Sequence, residues 1–259
     1  MNGSGKFNWT GWLVLGLLLL LWEGGSRSSP KLQLYIPPVS QVIVALSHLI
    51  VSGQVTTHLF TTLRRFSEGY LLAAAIAVTL GIVLGYFRFA HSLLEMLIEF
   101  LRPMPSVAII PVAILLLGIG DGMIVAVTVY ASTWPILINT IDGVRHIERT
   151  LIDTGRTFGL ARRRILWQIV LPAASPYIVT GLRVSLSIAL ILVTTAEMIA
   201  GSKGLGFFIL DEERSLQSRN MYAGIILVAL LGYLLNRLFL VLEEKAMKWR
   251  RGMVAREAV

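Results

Sequence analysis

Few residues in this 259-residue chain can do chemistry, and their spacing argues against bond-making. There is no cysteine, which removes disulfides, thiolate zinc sites and cysteine nucleophiles together. Four histidines, His48, His58, His91 and His146, are scattered without the HExxH spacing that sets two imidazoles on one helix face. No GxxxxGK[ST] loop is present to cradle a nucleotide phosphate. What remains is one acid inside an apolar run (Glu197), a pair of cations beside another (Arg64 and Arg65), and a long basic segment over residues 145–172. An ionisable group within a span is a path-lining residue or a buried pair by default. By helical rise Glu197 lies about 21 Å from Arg183, too far to pair with it, and close enough to the outer surface to be solvated. A structural hydrogen bond is the leading expectation for Glu197, and a role in a solute path is the alternative.

The elements that must position these residues are membrane spans. Hydrophobic residues make up 55% of the chain and charged residues 15%, against roughly 25% charged in ordinary soluble domains. The apolar excess is gathered into six runs, at residues 9–22, 69–89, 103–117, 123–141, 177–200 and 221–242. Such runs point to lipid as the solvent. The first is short and flanked by tryptophans, as at a membrane interface. With Lys6 before it, it resembles a secretory signal, but no A-x-A-like cleavage site follows, so an uncleaved span is expected. Between Pro37-Pro38 and Ser52, Val39, Val42, Ile43, Leu46, Leu49 and Ile50 recur at helical spacing. About 14 residues are too few for a seventh span, so a short helix on the outer surface of the bundle is expected.

The net charge of +8 could suggest nucleic acid, but the basic residues sit beside the apolar runs and read as topology signals. With both termini inside, fourteen Lys and Arg fall in the cytoplasm: Lys6, Arg88, Arg102, Arg145, Arg149, Arg156, Arg162, Arg163, Arg164, Lys245, Lys248, Arg250, Arg251 and Arg256. Seven fall outside, and that bias sets the orientation. Arg64 and Arg65 then stand at the outer end of the second span, where interfacial anchoring is favoured over attraction of anionic solutes. Gly81 and Gly85 form a GxxxG for close helix packing, within the chain or against a second copy. Gly118, Gly120 and Gly122 around Asp121 mark a tight outer turn with no chemistry attached. Pro103, Pro105 and Pro111 are expected to break or kink the third span. Freed backbone is tolerated where it meets protein or a water-filled cavity, which makes Met104, Pro105 and Pro111, with Glu197, the candidates for lining a translocation path.

The segment over residues 145–172 carries six arginines against Glu148 and Asp153. Leu151, Ile152, Phe158, Leu160, Ile165, Leu166 and Ile169 give it apolar faces, interrupted by Gly155 and Gly159. That pattern describes two short amphipathic helices joined by a glycine-permitted turn. Such a pair either inserts into a partner's groove or lies on the membrane as a basic surface helix, and pattern alone leaves these two even.

The spacing resembles the cytoplasmic signature of permease subunits of bacterial binding-protein-dependent ABC importers. That signature reads Glu-Ala-Ala, three residues, Gly, nine residues, Ile, one residue, Leu-Pro. Here Asp153-Thr154-Gly155 is followed by Gly159, then Ile169, Val170 and Leu171-Pro172 at the same intervals. The opening triplet keeps its acid in shorter form. The resemblance runs over about residues 61–249. It includes the proline-rich run at 102–111, Gly-Ile-Gly-Asp-Gly at 118–122, Trp-Pro-Ile-Leu-Ile-Asn at 134–139 and the glycine-rich run at 196–206, which look like the branch serving nitrate, sulfonates and taurine.

The resemblance implies an all-α membrane protein of six spans with the type I importer permease fold: an N-terminal region (residues 1–60), a core (61–249, coupling loop 143–176) and a basic cytoplasmic tail (250–259). It implies no cofactor on this chain, with ATP and Mg held by two ATPase subunits, a second permease copy as a homodimer, and a periplasmic binding protein. It gives the loop residues Asp153, Thr154, Gly155, Phe158, Gly159, Leu160, Ile169, Leu171 and Pro172 the role of meeting the ATPase. The solute would be a small organic or inorganic anion. A secondary carrier or channel without an ATPase is the rival; it would usually show repeats or a buried ion-binding cluster. A membrane-embedded enzyme would need a polar constellation at membrane depth, and none is visible.

Overall fold

In lipid every backbone N–H and C=O must be satisfied within the protein, so the apolar runs become helices. A computed structural model describes residues 9–247, apart from the side chains of Arg149 and Ala246. Lys6, Lys248 and the basic tail at 250–259 lie outside the described residues. Among those described there is no strand. The long helices are α1 (Trp9–Arg27), α4 (Thr56–Tyr86), α7 (Asp121–Arg145), α10 (Leu171–Ala200) and α12 (Ser218–Ala246). Shorter ones are α2 (Pro30–Tyr35), α3 (Val39–Val51), α5 (Arg88–Leu101), α6 (Ile110–Leu117), α8 (Arg149–Thr157), α9 (Arg162–Ile165) and α11 (Leu205–Arg214).

Helix α7 is the spine, packed between α4 and α10. Small residues allow the approach. Gly69, Ala73, Ala77 and Gly81 recur every fourth residue on the buried side of α4. A Cβ on Gly81 would lie 2.6 Å from Thr140 Cβ, and one on Gly85 2.6 Å from Val144 Cβ. The glycine pair therefore packs within the chain, the i±4 ridges of one helix meeting the other's grooves. Pro135 interrupts the α7 ladder. Beside that gap, Ser185 of α10 donates to the Ser132 carbonyl at 2.7 Å.

Five segments are long and apolar enough to cross a membrane, or six when the α5–α6 pair counts as one. That pair bends by 91° where Pro103 and Pro105 precede a 3₁₀ turn, Ser106–Ile109. The third span is thus a broken unit beginning at Arg88, and Arg102 stands at its break rather than in a loop before it. Tyr130 Oη donates to the Leu101 carbonyl at 2.9 Å, capping the end of α5 from the middle of α7.

The segment Pro30–Val51 also qualifies by length and composition, yet both its ends lie on one face of the bundle. Ser218, at the start of α12, donates to the Leu34 carbonyl, while Gly53 leads directly into α4, whose first turns meet the α10–α11 turn. Helix α3 lies across that face with Val42 and Leu49 buried. Helix α1 exposes leucines around its circumference, with Leu13, Leu17 and Leu20 each more than half exposed. At 19 residues it is about 28 Å long, but it is not among the segments long and apolar enough to cross a membrane, so the first span expected at residues 9–22 is not borne out.

Candidate functional site

Two polar constructions stand at opposite ends of the bundle, on what we call the loop face and the far face. At the loop face, α8 ends in a complete Schellman motif. The Leu160 amide donates to the Gly155 carbonyl at 3.0 Å and the Gly159 amide to the Arg156 carbonyl at 2.9 Å. Gly159 holds φ at 71°, the left-handed region that costs a residue with a Cβ about 1–2 kcal/mol. A Cβ there would meet no atom within 4 Å, so backbone conformation rather than space requires glycine. Gly155 is the converse case: a Cβ would sit 2.7 Å from Ile169 Cδ1, and its absence lets α8 rest on the next helix.

That next helix is not a separate short element. Residues Arg162–Ala200 form one continuous helix, with a wide π turn at Leu166–Val170. The Leu171 amide donates back to the Leu166 carbonyl, and Pro172 follows, without an N–H to continue the ladder. The Ile-x-Leu-Pro end of the pattern is therefore where the loop merges with α10, and the expectation of two independent helices is corrected to one short helix resting on the extension of a span.

The loop residues divide into two sets. Gly155, Leu160 and Ile169 face inward, joined by Ile152, Ile165, Val144 and Tyr86 in one apolar cluster, and Leu171 and Pro172 are half-buried in the helix above. Asp153, Thr154, Phe158 and Gly159 face solvent. Phe158 is 81% exposed, an apolar knob that no described residue covers. Among the described residues the Asp153 carboxylate pairs with Arg156, at 3.2 Å, and a pair so open to water adds little stability.

At the far face the structure assembles residues that sequence reading kept apart. Glu197 is fully buried, and Arg65 is 3% exposed. Arg65 Nη1 donates to Glu197 Oε1 at 3.0 Å and to the Lys203 carbonyl at 2.7 Å. Its Nε donates to Asp121 Oδ1 at 2.9 Å, and Arg64 pairs with the other Asp121 oxygen. Thr62 Oγ1 donates to Glu197 Oε2 at 2.8 Å while accepting from the Leu205 amide at 2.7 Å. The Gly206 amide donates to Glu197 Oε2 at 3.1 Å. A Cβ on Gly204, whose φ is 113°, would fall on the Glu197 carboxylate. His58 Nδ1 lies 3.2 Å from both the amide and the carbonyl of Gly204, and its ring packs on Phe207 and Phe208.

Three expectations change here. Arg65 is a buried partner rather than an interfacial anchor, Glu197 is shielded rather than solvated, and Asp121 has a charge-pairing role. The sequence signal was available in part: a carboxylate in an apolar run needs a cation, and Arg64, Arg65 and Lys203 were among the seven cations placed on that side. The other path candidates, Met104, Pro105 and Pro111, lie at and beyond the α5–α6 break.

Comparison with known proteins matches these features. The family described as binding-protein-dependent transport system inner membrane component matches residues 77–248. A Methanocaldococcus jannaschii protein named as an ABC transporter permease is 36% identical over 92% of this chain and 90% of its own length. A Bacillus subtilis protein named for transport of aliphatic sulfonates is 28% identical over 96% of this chain and 91% of its own. A chain of the inward-facing MetNI methionine ABC transporter superimposes with a TM-score of 0.60 at 18% identity, over 71% of this chain and 92% of that one, a likeness of fold. With its helical bundle, its multi-pass character and the spacing of its loop, the chain belongs to the binding-protein-dependent transport system inner membrane component family, as a transport permease subunit of the inner membrane.

Proposed function

We propose that this chain is the membrane subunit of an ATP-driven importer of a small anion, worked by ATPase subunits that dock on the loop face. The loop face is then cytoplasmic, with both termini, and the far face receives solute from a periplasmic binding protein. Two copies of this chain would enclose the path between them, each above one of two ATPases that hold ATP and Mg. The similarity to a protein named for sulfonate transport supports an anionic solute.

The observation that carries this reading is the mechanical continuity of the loop. Phe158 and Asp153 are presented outward on α8, which rests through Gly155 on a helix running without interruption to Ala200. A push on α8 reaches the far-face network along α10, because a packed helix moves as a rigid body. Bond-making chemistry is not needed. In this reading Met104, Pro105 and Pro111, at and beyond the bend of the third span, border a water-filled path, where broken backbone is tolerated.

The test is co-purification with the ATPase and transport in proteoliposomes. Phe158→Ala should lose retained ATPase and solute-stimulated hydrolysis while the melting temperature of the permease stays unchanged. A wild-type chain that never retains an ATPase, yet moves solute down an ion gradient, would establish the carrier reading instead.

A further inference from the structure

Beside the loop, at the same face, lies a cavity of about 970 Å³ that shares Asp153 with the docking surface and is otherwise unused by the docking argument. Four arginines line it from four different elements. Arg88 begins α5, Arg145 ends α7, Arg156 stands near the end of α8 and Arg162 begins α9. Packing brings them together. A Cβ on Gly85 would touch Val144, so the inner ends of α4 and α7 are in contact, and Ile152 joins Tyr86, Val144 and Val170 in one cluster. The cavity also holds His91, Ser92 and two carboxylates, Glu95 and Asp153. Asp153 pairs with Arg156 at 3.2 Å, and Glu95 lies 3.5 Å from His91, an ion pair only when that ring is protonated. Arg88, Arg145 and Arg162 have no ion-pair partner among the described residues. With both carboxylates counted, four guanidinium groups against two acids still leave the concavity with an excess of positive charge that repels itself, and a sequence without a use for it would gain by neutralising one arginine.

A guanidinium presents a planar fork of donors suited to the paired oxygens of an oxyanion. Basic pockets between spans at the cytoplasmic side are where anionic headgroups bind. The cavity wall is mixed, with Phe87, Ile147 and Ile152 beside the polar residues, and Phe89 and Leu93 stand exposed next along α5, where an acyl chain can lie. We propose that this cavity is a phosphate-type oxyanion site at the loop face, filled by the headgroup of an anionic phospholipid or by the free anion. It is separate from the solute path and holds whichever solute is carried.

The full chain, purified with its ATPase if one is retained, would be examined by native mass spectrometry after exchange into phosphatidylglycerol or phosphatidylcholine. Retention of phosphatidylglycerol should exceed that of phosphatidylcholine. The Arg88→Gln/Arg145→Gln variant should lose that preference by on the order of fivefold for each charge removed. Arg88→Lys/Arg145→Lys should keep part of it, as a charge without the fork. If wild type shows no lipid preference but inorganic phosphate raises its melting temperature, and does not raise that of the Gln variant, the free anion is the ligand. Equal lipid preference in wild type and a folded Gln variant, with no phosphate effect on either, would overturn the proposal.

Discussion

Of the five glycines with positive φ among the described residues, Gly159 and Gly204 make turns that are opposites. At Gly159, φ is 71° and a side chain would enter open space; at Gly204, φ is 113° and a side chain would enter the Glu197 carboxylate. The far-face turn is completed by the chain's own groups, every oxygen of Glu197 taken by Thr62, Arg65 or the Gly206 amide. The loop-face turn is fixed in shape by a Schellman motif and left bare of contacts outward, with Phe158 beside it. One end of the bundle is closed upon itself, and the other is prepared for something else to complete it. A transporter driven from one side needs both: a rigid end that keeps the helices in register and an open end on which force can act.

This contrast can be broken from either end. The largest effect is expected at Glu197→Ala, which removes the buried acceptor of Arg65, Thr62 and the Gly206 amide and leaves Arg65 only Asp121 and the Lys203 carbonyl; loss of one partner of a buried pair costs about 3–5 kcal/mol. Thermal unfolding in detergent should show it. The double variant Arg65→Met/Glu197→Leu should recover part of the loss; if it is no better than the sum of the single changes, the pair is not the unit that matters. Next comes Gly204→Ala, where strain and collision together are expected to cost about 3 kcal/mol by the same assay. Gly159→Val should be milder for folding, about 1–2 kcal/mol from the backbone alone, yet should abolish coupling between ATP hydrolysis and transport. If it instead lowers stability as much as Gly204→Ala, the loop is not free on its outer side. The smallest structural effect is expected for Asp153→Ala, within about 0.5 kcal/mol for an exposed site, with stimulated ATPase activity reduced. Unchanged transport and hydrolysis in that variant would remove the acid from the contact.

Much of this was legible beforehand. Span positions follow from apolar length, since lipid leaves the backbone no alternative to helix, and the Gly159 turn follows from glycine at the end of an amphipathic stretch. Even so, α4 begins well before its apolar run, at Thr56, because residues such as Arg65 and Thr62 find partners inside the bundle and need not face lipid. Prolines 103 and 105 announced a break, but not a bend of 91°, whose angle depends on what packs against each half. Pro172 was read as the last residue of the loop signature; that it sits after a π turn in an unbroken helix is a matter of how the ladder is re-spaced around a missing donor.

The sequence by itself determined that the chain lives in a membrane, where four of its long apolar helices lie, and that residues 153–172 carry a family-specific spacing. Those properties are local, set by hydropathy, backbone satisfaction and the φ that glycine permits. Only the tertiary structure decided that Arg65, Asp121, Thr62 and Glu197 are one network, that Gly81 and Gly85 serve α7 rather than another subunit, and which loop residues face outward. Pairing between distant segments depends on helix rotation and depth, and no window of sequence contains either.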